Sequence, residues 1–325
     1  MDVARSARVS QSTVSRVFSG KGNVSLKTAD RVTAAARALG YRPNAIARSL
    51  TSQRTNIVAL VSVRSTHTFY SSIVNGALGR LSRAGRQVLF FQTGFDTGFE
   101  DIFQQVLQYK VDALLIVSAA VSSEITRECE RAGLPIVVFN RIIRSPGVFS
   151  LCSDNPRAGR DVADYLAGRG YRSFAYIGSA RRLPDISRDR EKGFAGRAAE
   201  LGIEMLSVSG DYSYESGRAA MRSILTEGRK VDAVFASNDL MAMGAMDEAR
   251  REFGLSIPGD VAVIGFDAIE EGSWKAYSLT TVEQRIDEML DAACSYLIER
   301  LDGQDTGKNG EPRLFPCRIV ERGTA

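Results

Sequence analysis

The chain has 325 residues, 44% of them hydrophobic and 25% charged, the make-up of an ordinary globular protein of two or more domains. Cys129, Cys152, Cys294 and Cys317 form no C-x-x-C pair and His67 is the sole histidine, which excludes a zinc ribbon, a disulfide scaffold and a His-rich metal site. The net charge of +4 conceals an asymmetry: residues 1–54 carry ten basic and two acidic side chains, a net of +8, and the remainder carries −4. A basic head on a slightly acidic body suits a polyanion partner at one end only. No apolar run is long enough to span a membrane, and the first twenty residues do not read as a signal peptide. A cytoplasmic protein without metal or cofactor is expected.

In chain order, Asp2 to Ala7 reads as a short helix. Ser10 offers an N-cap to a second, with Thr13, Val14, Val17 and Phe18 at helical spacing. Gly20-Lys21-Gly22-Asn23 breaks that pattern. Ser25 caps a third helix, whose Ala29, Val32, Ala36 and Leu39 are spaced to face a core, and Gly40 stops it. Pro43 opens a segment, Asn44 to Leu50, too short to hold a helix in water without a partner. From Asn56 apolar runs follow without alternation: Ile57–Val63, Val88–Phe91, Ala113–Val117, Ile136–Phe139, Phe174–Ile177, Ala233–Ala236 and Val261–Phe266. Amphipathic stretches separate them, such as Ser71–Ala84, Ala158–Ala167, Glu191–Leu201 and Ser216–Leu225. Such alternation predicts parallel sheets buried on both faces, divided between two doubly wound subdomains. Ligand groups then belong outside the carboxyl ends of the strands. G-x-G-x-x-G, G-x-x-x-x-G-K-[ST] and G-x-S-x-G are all missing, which removes the usual nucleotide and α/β-hydrolase signatures.

Residues 2–17 have the form of a helix-turn-helix. Ala4, Val9, Val14 and Val17 can pack two helices together, leaving Ser10, Gln11, Ser12 and Arg16 exposed near the start of the second. That end enters the major groove, where glutamine suits adenine and arginine suits guanine. From here the residues are specific. Val9-Ser10-Gln11-Ser12-Thr13-Val14-Ser15-Arg16-Val17 and Gly40-Tyr41-Arg42-Pro43-Asn44-Ala45-Ile46-Ala47-Arg48-Ser49-Leu50 resemble the lactose/purine repressor (LacI-type) family of bacterial transcriptional regulators. So do Thr55 to Val61, Ser153-Asp154-Asn155, Arg190 to Phe194, Ala236 to Asp239, Ile264 to Asp267, Leu279 to Val282 and Glu321 to Thr324.

The resemblance implies a small all-α helix-turn-helix domain at 1–43, a hinge helix and linker at 44–54, and an effector-binding, dimerising body at 55–325. That body is periplasmic-binding-protein-like, with one subdomain near 55–154 and 283–314 and the other near 155–282 and 315–325. It assigns Gln11, Ser12 and Arg16 to base reading, with Ser10 and Thr13 beside them at the DNA, Asn44, Ala47 and Arg48 to the hinge, and Leu50 to a wedge between base pairs. An apolar wedge exchanges unstacking energy for a bent, better-wrapped duplex. It assigns Phe69, Tyr70, Asn140, Arg190, Tyr212, Asn238, Asp267 and Gln284 to the effector pocket; Trp274, the one tryptophan, is expected to line the cleft or to pack a loop. Aromatic faces and fixed polar groups suit a sugar or a base. Two positions depart from the family: the chain starts a few residues later than its members do, and Arg8 replaces a turn glycine.

A regulator that is not an enzyme follows, a repressor set by a sugar or sugar derivative and acting on pseudo-palindromic operator DNA. A sugar-transport protein would need only the body, and the +8 head argues against it. The absence of a leucine heptad after Arg322-Gly323-Thr324 predicts a homodimer.

Overall fold

Asp2–Ser6, Gln11–Ser19 and Leu26–Ala38 form helices α1, α2 and α3. The structure, a computed structural model, describes residues 2–19, 24–41, 54–63, 68–93, 99–118, 121–179, 186–228, 230–304 and 311–325. Residues 20–23, the expected hinge positions Asn44, Ala47, Arg48 and Leu50, and His67 lie outside them. Serines decide where α2 and α3 begin. Thr13 N–H donates to Ser10 Oγ at 3.2 Å and Thr28 N–H to Ser25 Oγ at 3.4 Å, satisfying donors that a first helical turn leaves open. Val3, Ala7, Val14, Val32, Ala35 and Ala36 make the core, with Ala4, Val9, Val17 and Phe18 packed against it. Leu39 does not join, contrary to its spacing: it caps α3 and is 50% exposed, and Ala35 takes the inward position.

Arg8 holds a left-handed φ of 49°. Val9 N–H donates to Ala4 O at 3.0 Å across it, the closure that usually places glycine at this position. Arg8→Gly is expected to stabilise the head by about 1 kcal/mol by removing the Cβ penalty. Slower hydrogen exchange at the Val14 and Val32 amides would register it; faster exchange would mean that the arginine side chain stabilises the turn.

The body holds two six-stranded sheets. Ile57–Val63 (β1), Gln87–Thr93 (β2), Ala113–Val117 (β3), Ile136–Phe139 (β4), Val148–Ser153 (β5) and Arg313–Phe315 (β11) form the first, ordered β11-β5-β4-β3-β1-β2 and parallel throughout. Ser173–Ser179 (β6), Glu204–Gly210 (β7), Ala233–Ala236 (β8), Ala262–Phe266 (β9), Thr280–Glu283 (β10) and Arg318–Val320 (β12) form the second, ordered β12-β10-β9-β8-β6-β7. Here β12 runs antiparallel to β10, a departure from the all-parallel expectation. Central strands such as β3 and β9 are buried residue after residue. β2 is not, although its apolar run matches theirs; it is an edge strand with Phe90 44% exposed, because only β1 pairs with it.

Thr68–Arg83 (α4), Phe99–Gln108 (α5), Ser123–Arg131 (α6) and Ile286–Leu301 (α11) belong to the first lobe. Asn155–Gly168 (α7), Ile186–Glu200 (α8), Tyr214–Thr226 (α9) and Asp239–Glu252 (α10) belong to the second. The chain crosses between lobes after β5, after β10 and between β11 and β12. Glycines set one close crossing. A Cβ on Gly159 would collide with the Arg190 carbonyl, and one on Gly193 with the Pro156 carbonyl. That approach of α7 to α8 is what brings Arg190 against Asn155.

Candidate functional site

At the exposed start of α2, Ser10 Oγ lies 2.7 Å from Ser12 Oγ and 2.8 Å from Thr13 Oγ1. Ser10, Gln11, Ser12 and Arg16 are exposed, Thr13 half-buried, and Val14 faces the core. Polar groups thus crowd a helix N-terminus whose peptide dipole favours phosphate.

The second candidate site follows the strand ends. Each lobe repeats one winding order, so the carboxyl ends of its strands open on the same side. Asn140 follows β4, Tyr212 lies two residues past β7, Asn238 two past β8, Asp267 directly past β9 and Gln284 directly past β10. Phe69 and Tyr70 open α4 after β1, and Arg190 lies in α8 after β6. Asn140, Tyr212 and Asp267 have φ of 59°, 72° and 116°. Strained backbone concentrated at strand ends is a mark of functional positions.

A buried hydrogen-bonded chain links these groups across the crossovers. Arg190 Nε donates to Asn155 Oδ1 at 2.7 Å, and Asn155 Nδ2 to the Ser153 carbonyl at 3.0 Å. Ser153 Oγ donates to Gln284 Oε1 at 2.6 Å, and Gln284 Nε2 to Asp267 Oδ1 at 2.7 Å. Arg190 is 1% exposed; its Nη1 donates to the Ser237 carbonyl and its guanidinium lies 3.4 Å from the centre of the Phe266 ring. Its Nη2 is buried without a hydrogen-bond partner among the described residues. A buried donor left open costs about 1–3 kcal/mol, which an incoming acceptor would return. Asn238 caps α10 through Met241 N–H at 3.0 Å and donates to the Tyr212 carbonyl at 3.0 Å, so it also shapes the strand ends. Burial, the largest influence, pushes the Asp267 carboxyl up to about 8, with Arg190 and Gln284 opposing it and Asp239 adding to it. The Cys152 and Cys317 thiols are pushed up to about 12 and about 11 by burial, which makes them poor nucleophiles.

A cavity of about 510 Å³ opens between the lobes. Phe69, Asp267 and Gln284 of the expected set line it, with Thr68 and Ser72 of α4, the Ala268–Glu270 turn and the first turn of α11. Tyr70, Asn140, Arg190, Tyr212 and Asn238 are not in its wall. Trp274, expected either to line the cleft or to pack a loop, is not in this wall: it follows the short 3₁₀ turn Glu270–Ser273 and is 53% exposed. Sequence reasoning missed Ser153 and Asn155 as connecting groups, and Ser72 and Ile286 as wall. The signal for Ile286 was its place two residues past Gln284. Among the described residues no group of His, Cys, Asp and Glu could hold a metal ion, and no helix is long and apolar enough to cross a membrane.

A helix-turn-helix head joined to a two-lobed body with a polar interlobe cleft defines a DNA-binding regulator that answers to a small molecule. Residues 1–44 match the model of bacterial regulatory proteins, lacI family, and residues 163–325 that of the periplasmic binding protein-like domain. The HTH-type transcriptional regulator AscG of Escherichia coli (strain K12) is 32% identical over 99% of this chain and 96% of its own length. The lac repressor dimer bound to operator and the anti-inducer ONPF superposes with a TM-score of 0.86 at 26% identity, covering 99% of this chain and 97% of that one. The complex of the transcriptional regulator CelR with cellobiose gives 0.74 at 30% identity, covering 100% and 98%. This chain belongs to the lacI family of bacterial regulatory proteins.

Proposed function

We propose that this protein is a cytoplasmic repressor, without enzymatic activity, whose operator affinity is set by a sugar or sugar derivative held between the lobes. The carrying observation is the polar chain from Arg190 to Asp267, which joins both lobes at the crossovers and leaves one buried guanidinium donor open. A ligand that completes it favours one lobe arrangement over the other, and operator affinity changes by the coupling between sites. Phe69, Tyr70, Asn140, Arg190, Tyr212, Asn238, Asp267 and Gln284 form the effector site in this reading. Ser10, Gln11, Ser12, Thr13 and Arg16 read bases in the major groove, and Asn44, Ala47, Arg48 and Leu50 act in the minor groove. The working division is a head at 1–43, a linker at 44–54 and a body at 55–325. A palindromic site read by two heads implies a homodimer; the lac repressor relative is a dimer on its operator.

Binding to a duplex selected in vitro tests this, at two salt concentrations. Tight binding that falls steeply with salt is expected. A parent protein that binds no duplex would end the regulator reading. A thermal-shift screen of neutral sugars, sugar acids and purines identifies the effector, since a ligand of the folded state raises apparent stability. Leu50→Ala is expected to weaken operator binding about tenfold through loss of the wedge while leaving effector affinity unchanged. Equal operator affinity in variant and parent would remove Leu50 from that role.

A further inference from the structure

One helix touches both the cavity and the point where the chain enters the body. Ile286, Asp287, Glu288 and Leu290, at the start of α11, line the cavity opposite Thr68, Phe69, Ser72 and Gly76 of α4. At its other end the Leu301 carbonyl accepts a hydrogen bond from Arg54 Nη1. Asp302, the next residue, accepts from Arg86 Nη2 at 2.5 Å, and Arg86 Nη1 donates to Asn56 Oδ1 at 2.8 Å. Thr55 and Asn56 N–H donate to Asp112 Oδ2 at 2.9 and 2.6 Å. The entry segment is thus tied to the end of α11 directly through Arg54 and indirectly through Arg86.

α11 is suited to move as one piece. Its sixteen residues contain no glycine or proline, and it spans about 24 Å at 1.5 Å per residue. Met289, Leu290, Ala293, Leu297 and Leu301 are buried along it, and Tyr296 stacks on Phe149 at 4.7 Å. Its fixings to α4 lie in the cavity half. Arg80 donates to Asp287 at 2.9 Å and to Asp291 at 2.6 Å. A Cβ on Gly76 would lie 2.5 Å from Leu290 Cδ1, so a methyl added there must displace the Leu290 side chain. Gly76 and Leu290 both stand in the cavity wall, so whatever fills the cavity bears on this contact, and a packed helix passes displacement along its length.

We propose that α11 is the rod that carries occupancy of the cavity to the chain entry at Arg54–Asn56, with the Gly76–Leu290 contact as its sensing end. The inference rests on reading the cavity as the effector site and the segment before Arg54 as facing DNA, but its first test needs neither ligand nor DNA. Hydrogen–deuterium exchange of the full-length protein reads the peptide over residues 54–58. Gly76→Ala, which displaces the Leu290 side chain at the start of α11, is expected to speed exchange there at least fivefold. Arg54→Ala should do the same, and the double variant should be no faster than either alone. Sites this far apart without shared partners ordinarily add. Additive effects, or disturbed α4 and α11 peptides with residues 54–58 at the parental rate, would overturn the rod. Should Gly76→Ala fail to fold, Asp287→Asn loosens the Arg80 clamp at an exposed carboxylate, and a rise of at least twofold is expected in its place; a parental rate there also overturns it. On the selected duplex, Gly76→Ala should shift Kd at least fivefold with Arg54 present and less than twofold in Arg54→Ala. A parent that binds no duplex while the exchange coupling stands would sink the regulator reading and leave the rod; normal DNA binding with additive exchange would do the reverse.

Discussion

Arg190→Ala is expected to lose the effector response altogether and about 3 kcal/mol of stability with it. Arg190 is 1% exposed and holds Asn155 Oδ1, the Ser237 carbonyl and the face of Phe266 together. Truncation leaves a cavity and two buried acceptors without their donor. Urea denaturation followed by the fluorescence of Trp274, which lies in the second lobe, reads the loss. Arg190→Met separates the two contributions: its length restores part of the packing and none of the hydrogen bonds. It should regain some stability but no effector response. An Arg190→Ala protein as stable as the parent, with a normal response, would show that the guanidinium neither braces the crossover nor meets the ligand.

Asp267→Asn should make the protein more stable and less responsive. Burial favours the neutral carboxyl in the folded state, where it is pushed up to about 8, while an unfolded aspartate titrates near the ordinary value of about 4. Between those values the folded state binds more protons than the unfolded one. The stability this group supports is therefore complete below about pH 4 and is lost as pH rises through about 8. Asparagine is neutral throughout and keeps an Oδ1 for Gln284 Nε2. Its melting temperature should exceed the parent's by a margin that widens from pH 5 to pH 8. Asp239, pushed up to about 6 by burial, is present in both proteins and slopes the same way. Effector affinity should fall about fivefold, the equivalent of one hydrogen bond of about 1 kcal/mol between uncharged groups. A margin that narrows with pH would refute the buried neutral carboxyl. Unchanged affinity would take Asp267 out of the site.

Much of this is legible in the sequence. Ser10, Ser25 and Gly40 mark helix ends because capping chemistry is local. The apolar runs at Ala113–Val117, Ile136–Phe139 and Ala233–Ala236 coincide with β3, β4 and β8 because a strand buried on both faces needs such a run and little else fits one. The strand-end rule put Asp267 at the mouth of its sheet, and the family resemblance named Asn140, which follows β4. Leu39 and Phe90 read as buried and are not, since one residue past a helix end, or one missing neighbour strand, turns an apolar side chain outward.

By itself the sequence determined the two-part organisation, the basic head and the parallel lobes, all consequences of patterns within about twenty residues, and its family resemblance named the groups at the strand ends. Only the tertiary structure decided which of those groups meet. The chain Arg190–Asn155–Ser153–Gln284–Asp267 joins residues up to 131 positions apart, and the tie of Arg54 to Leu301 spans 247. Such contacts depend on where the chain crosses between lobes and on how closely Gly159 and Gly193 let two helices approach. Periodicity and capping carry no information over those separations, because they are set by packing between elements.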